Sequence, residues 1–136
     1  MMRTQAFLRH SVLLLGLALP AAGCAAAAAG AVAGAAGGVY LTTRGAQSEV
    51  DGSIDQVATR TQAVMKDLQI VPGTTSSSDA GQKREFKGTK GDLDVTITLE
   101  SRSSNTTHVE ATARKNFAEW NKDFAQDVVT RIVKAS

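Results

Sequence analysis

A strict alternation late in the chain constrains the fold more than any other feature. Leu93, Val95, Ile97 and Leu99 are apolar, and Asp94, Thr96, Thr98 and Glu100 alternate with them. Apolar residues at a period of two make a half-buried strand, with one face on a core and the other polar. After a loop of hairpin length, Ser101–Asn105, the pattern returns. Val109, Ala111 and Ala113 alternate with His108, Glu110, Thr112 and Arg114. Two strands with one apolar face are marginal alone in water. The rest of the chain must add strands and cover that face.

Two amphipathic segments can do the covering. Asp51-Gly52 is a turn signal, and Ser53 with Gln56 forms a capping box at a helix start. Ile54, Val57, Ala58, Thr61, Val64, Met65 and Leu68 follow at helical spacing, and Pro72-Gly73 prevents continuation. Asn116, with Glu119 three residues on, is a second capping pair. Phe117, Trp120, Phe124, Val128 and Ile132 mark one face of a final helix, and Phe117, Trp120 and Phe124 have core spacing. Val39–Val50 reads as one leading strand with Gly45 as a bulge. Residues 70–78 read as a short edge strand running into a loop, because Pro72 forbids a central position. Asp79-Ala80-Gly81 and Lys90-Gly91 are turns, and between them Lys83–Thr89 offers Phe86 as its inward residue. The expected fold class is α+β. An antiparallel sheet of four to five strands carries both helices on one face, in the order β-α-β-β-β-β-α, with the Leu93 and Val109 strands at its centre.

The start of the chain is different in kind. Residues 1–10 hold Arg3 and Arg9 and no acid, Val12–Leu19 has no polar side chain, and Ala21-Ala22-Gly23 are small. This is the make-up of an export signal. Its apolar core is far short of the ~20 residues that span a bilayer. Ala22, Gly23 and Cys24 resemble the lipobox of bacterial lipoproteins, with Ala21 where that pattern has Leu. The resemblance implies that Cys24, the only cysteine, is acylated (diacylglyceryl and palmitate groups) and becomes the N-terminus. Two or more buried chains anchor a protein stably. Ala25 stands where an inner-membrane retention signal has Asp, which implies the outer membrane, facing the periplasm. The chain thus divides into a signal peptide (1–23), a lipidated cysteine with an Ala/Gly-rich segment (24–38) and an α+β domain (39–136).

Residues 25–38 allow two readings. As a tether, fourteen flexible residues reach ~20 Å on average. Alternatively, Gly30, Gly34 and Gly38 form a small-residue repeat that lets helices approach closely in a membrane.

Charge excludes one class of partner. Removing the two leader arginines from the fifteen basic residues leaves thirteen, balanced by thirteen acids. A neutral domain lacks the electrostatic footprint of a nucleic-acid binder.

The run from Gly37-Gly38-Val39-Tyr40 to Val50, the capped helix ending Met65-Lys66-Asp67-Leu68-Gln69-Ile70, and Val95-Thr96-Ile97-Thr98-Leu99 resemble small bacterial lipoproteins of the DUF3568 type. The final helix after Ala113-Arg114 fits the same plan. That family has no assigned activity. The resemblance implies architecture and location, and carries over no functional residue but Cys24.

Side chains with chemical potential are few. Asp92 and Asp94 are two apart and can share a strand face, but no third ligand for a cation is placed. His108 is the only histidine outside the leader, and no Gly-x-Ser-x-Gly elbow frames a nucleophile for it. Gly88-Thr89-Lys90-Gly91 lacks the upstream glycine of a phosphate loop and is followed by a strand. Asn105-Thr106-Thr107 matches a glycosylation acceptor that a bacterial lipoprotein does not generally use. The polar sheet face, with Thr96, Thr98, His108, Glu110 and Thr112, suits a peptide or protein partner if it is uncovered. No catalytic residue, metal or cofactor is expected. The leading expectation is a non-enzymatic binding or assembly module, held to the membrane by covalent lipid and meeting an envelope protein. A membrane-associated protein that oligomerises through its glycine repeat is the alternative, and a small hydrolase based on His108 comes last.

Overall fold

A computed structural model describes residues 38–135. The leader, Cys24, Gly30 and Gly34 lie outside the described residues. The elements are β1 (Tyr40–Leu41), β2 (Gly45–Asp51), α1 (Ile54–Asp67), β3 (Val71–Ser78), β4 (Lys83–Lys90), β5 (Leu93–Ser103), β6 (Thr106–Lys115), β7 (Glu119–Trp120) and α2 (Lys122–Lys134). The fold is α+β. All strand pairs are antiparallel, in the order β1-β2-β6-β5-β4-β3, with β7 added on β6. The two strands with the clearest alternation, β5 and β6, are central as expected. Among the described residues the sheet has seven strands, more than the expected four to five.

Alternation decides which face is sealed. Val95, Ile97 and Leu99 of β5 and Val109, Ala111 and Ala113 of β6 are buried under the helices. Helix α1 lies over β5 and reaches β3 and β6, while α2 lies over β2 and β6. Ala46, Ala111 and Ala113 beneath α2 have no bulk, so Val128, Val129 and Ile132 seat directly on the sheet. The capping box of α1 forms as anticipated: Ser53 Oγ accepts from the Gln56 amide, and Gln56 Oε1 accepts from the Ser53 amide. The apolar face of α1 is the one the spacing assigned, with Val57, Ala58, Thr61, Val64, Met65 and Leu68 buried.

Four local expectations are corrected. The leading strand is a hairpin, not one strand with a bulge. Thr42 Oγ1 accepts from the Arg44 and Gly45 amides and turns the chain between β1 and β2. Helix α1 stops before Pro72, because Gln69 is left-handed (φ 56°) and the Ile70 amide donates to the Met65 carbonyl. Residues 71–78 are strand throughout, and β5 continues to Ser103, so the β5–β6 loop shortens to a tight turn. The final helix begins at Asn121, whose Oδ1 accepts from the Phe124 amide, and not at Asn116. Asn116 is left-handed (φ 59°) and reverses the chain after β6, a conformation that asparagine tolerates better than most residues. Phe117 therefore sits at a loop tip, 96% exposed, and Trp120 and Phe124 are only part-buried. Core spacing did not make a core here, because two of the three aromatic residues precede the helix.

Gly45 is required by a close approach. A Cβ there would lie 2.0 Å from the Ala111 carbonyl oxygen of the neighbouring strand. Gly45→Ala is expected to lower stability by about 1–3 kcal/mol in urea unfolding, through forced backbone displacement. Phe117→Ser is expected to change it by no more than about 0.5 kcal/mol, the range for an exposed residue.

Candidate functional site

The helix-free face of the sheet is a polar grid whose rows follow the strand register. At one end Glu49, His108, Glu100 and Lys83 lie side by side on β2, β6, β5 and β4. The next row is Gln47, Glu110, Thr98 and Glu85, and then come Gly45, Thr112, Thr96 and Lys87. The last row is Arg114, Asp94 and Thr89. Neighbours across strands are ~4.8 Å apart. Among the described residues no helix covers this face.

Charge is sorted along the grid. The first end is a carboxylate network. His108 Nδ1 is 2.8 Å from Glu49 Oε1. Arg102 reaches Glu49 at 3.8 Å and Glu100 at 3.4 Å. Lys87 closes on Glu85 at 3.0 Å. His108, whose side chain is 16% exposed, is thus one member of a network of hydrogen bonds and ion pairs with the half-exposed Glu49, Glu100 and Arg102.

The other end is built around Trp120. After Asn116 reverses the chain, β7 folds back so that Trp120 pairs with Arg114, and the Asn121 amide donates to the Ala113 carbonyl at 2.8 Å. The Thr42 turn brings Arg44 to the same ring. The guanidinium carbons of Arg44 and Arg114 lie 5.8 and 5.9 Å from the indole centroid, within cation–π range. Trp120 and Arg114 form one wall of a trough of about 500 Å³. Its floor is Thr96, Thr112, Asp94 and Thr89, and its far wall is Lys87 with Gly73 and Thr74 at the β3 irregularity. A second, more apolar cleft of about 600 Å³ lies between α1 and β3, lined by Met65, Ile70, Pro72 and Phe86.

The structure separates several residues that the sequence had grouped. Asp92 lies in the β4–β5 turn and pairs with Lys115 at 3.2 Å, whereas Asp94 faces the trough. Among the described residues no cluster of three His, Cys, Asp or Glu could hold a metal ion. Gly88–Gly91 is the end of β4 and its turn, and Lys90 Nζ donates to the Leu68 carbonyl at the end of α1. Asn105 and Thr107 both bond the backbone of Gly52, so that segment ties the β5–β6 turn to the start of α1. Thr96, Thr98, His108, Glu110 and Thr112 do share the open face. The meeting of Arg44, Arg114 and Trp120 was missed. Its one sequence signal was Asn116, a residue suited to a left-handed turn as well as to a cap.

The sequence profile of DUF3568, described as a protein of unknown function, matches residues 8–112. No curated protein and no solved structure is significantly similar to the chain.

His108→Ala is expected to cost at most about 1 kcal/mol in urea unfolding, because its side-chain partner Glu49 is half exposed and a single hydrogen bond to it contributes little net. A larger loss would show that the Glu49–His108–Arg102 network holds the sheet end together.

Proposed function

The chain belongs to DUF3568, a family of unknown function, and we propose that it is a lipid-anchored module of the bacterial envelope that works by binding rather than catalysis. The anchor is the acylated Cys24, and the location is the periplasmic face of the outer membrane. Three sequence features support the anchor: the basic start, the short apolar core and the small residues before Cys24. The family match begins at residue 8, so it takes in the apolar core and Cys24. No helix among the described residues is long and apolar enough to cross a membrane.

The observation that carries the binding reading is the open sheet face. Both helices pack on one side, and the other side presents hydroxyl, carboxylate and guanidinium groups around a trough. Ligand sites are concave and use a few placed polar groups. The described chain starts at Gly38, whose carbonyl accepts from Ser48 Oγ beside the carboxylate end. Tethered there, the domain holds the Trp120 end away from its point of attachment. An envelope partner meets the face along the Thr96–Thr98–Thr112 strip.

Two measurements test this. The intact mass of the protein from membranes is expected to fit a chain starting at Cys24 with its acyl groups, and Cys24→Ala is expected to move the protein from the detergent phase to buffer. In cells, a photo-crosslinking residue at Thr98 is expected to give a discrete adduct that Thr96→Arg and Thr112→Arg abolish, while the same probe at Arg131 on α2 gives none. A chain that begins after Cys24 sinks the anchor. A Thr98 probe without an adduct, or one indifferent to both arginines, sinks the binding face.

A further inference from the structure

We propose that the Trp120 end of the open face is a binding site for a carboxylated sugar, a single unit or a short stretch of an acidic glycan. This assigns a ligand class to the face described above and rests on that reading.

The first argument is electrostatic. Arg44 and Arg114 converge on one indole ring. Among the described residues neither has a carboxylate within 4.0 Å, whereas Lys87, Arg102 and His108 on the rest of the face each do. Asp94 sits directly opposite Arg114 in the register, yet the guanidinium lies over Trp120 and makes no ion pair with it. Two like charges gathered without a counterion make a site complementary to an anion. Arginine matches a carboxylate through two parallel N–H donors. Glu49, Glu85, Glu100 and Glu110 repel an anion from the other end of the face, so it is confined to this one.

The second argument comes from the trough floor. Thr89, Thr96 and Thr112 make no hydrogen bond through their hydroxyls among the described residues, and each can donate and accept. Asp94 is an unpaired acceptor beside them. A carboxylate there opposes a densely charged polymer such as a nucleic acid or polyphosphate, but it accepts well from hydroxyls. The ligand that fits has one negative group for Arg114 in the trough wall, where Arg44 at the same indole adds positive charge, several hydroxyls for the floor and an apolar ring face for Trp120. The trough, at about 500 Å³, falls within the size range of small-ligand sites. An acidic peptide, even one rich in threonine, offers carboxylates and hydroxyls on separate flexible side chains and lacks a ring that presents several hydroxyls beside an apolar face.

Trp120 is the only tryptophan in the chain, so its emission reports the site directly. The full lipidated protein in detergent is titrated with three probes. They are a tetrasaccharide of alternating glucuronic acid and N-acetylglucosamine, the same sugar with its carboxyls reduced to alcohols, and a capped hexapeptide of alternating Glu and Thr. The acidic sugar is expected to give a saturable change in emission. The reduced sugar, the peptide, and the acidic sugar with Arg114→Gln or Arg44→Gln are each expected to bind about tenfold or more weakly, as loss of a charge-assisted pair requires. Both arginines are at the surface, and circular dichroism of the variants is expected to match the parent. No saturable change, equal binding of the reduced sugar, or indifference to both arginines overturns the site. A peptide that binds as tightly as the acidic sugar overturns the sugar assignment and leaves the binding face standing. Failure of all three probes removes the sugar site alone, since the face is judged separately by the Thr98 crosslink.

Discussion

One face of the β5–β6 hairpin is sealed against two helices, and the rest of the domain is arranged around that seal. Val95, Ile97, Leu99, Val109, Ala111 and Ala113 are removed from water together, and α1 and α2 supply the matching apolar stripes. Because side chains alternate strictly, a slip of one residue would turn the whole apolar set outward. The register is therefore held by burial across both strands. Residue size divides the labour: Ala46, Ala111 and Ala113 let α2 sit close, while the bulkier Phe86, Ile97 and Leu99 are buried on the same sheet face along β4 and β5.

The same alternation makes the opposite face polar, and strand ends decide how its charges are shared out. Glu49, Glu85, Glu100 and Glu110 gather toward one end, with His108 and Arg102 among them. The other end is shaped by two chain reversals, at Thr42 and at Asn116. Each delivers one element of the Trp120 cluster, Arg44 from the first and Trp120 itself from the second. The trough is thus a product of turn chemistry laid on a regular sheet. It faces away from the end at which the described chain begins.

Most of the framework was legible in the residues because local and global preferences agree there. The spacing of α1, its Ser53–Gln56 box and the period of β5 and β6 each point to the structure that forms. The errors fall where two local solutions compete. Asn116 and Asn121 both suit a helix start, and Asn116 has the better partner in Glu119 along the chain. Pairing of Glu119 and Trp120 with β6 wins, because it satisfies strand-edge groups that a longer helix would leave open. Phe117 then loses the core position that its spacing implied. Likewise, Thr42 turns what looked like a continuous strand, since its hydroxyl serves two amides at once.

The amino-acid order was enough to establish an α+β domain, the inward faces of α1, β5 and β6, and the polar character of the face left over. Those properties follow from periodicity and capping, which act over a few residues and need no knowledge of distant neighbours. The convergence of Arg44, Arg114 and Trp120, from positions as much as 76 residues apart, and the sorting of charge along the sheet came only with folding. Such contacts depend on strand order and on which turn reverses the chain. Both are settled by the burial of the whole core rather than by any short stretch of sequence.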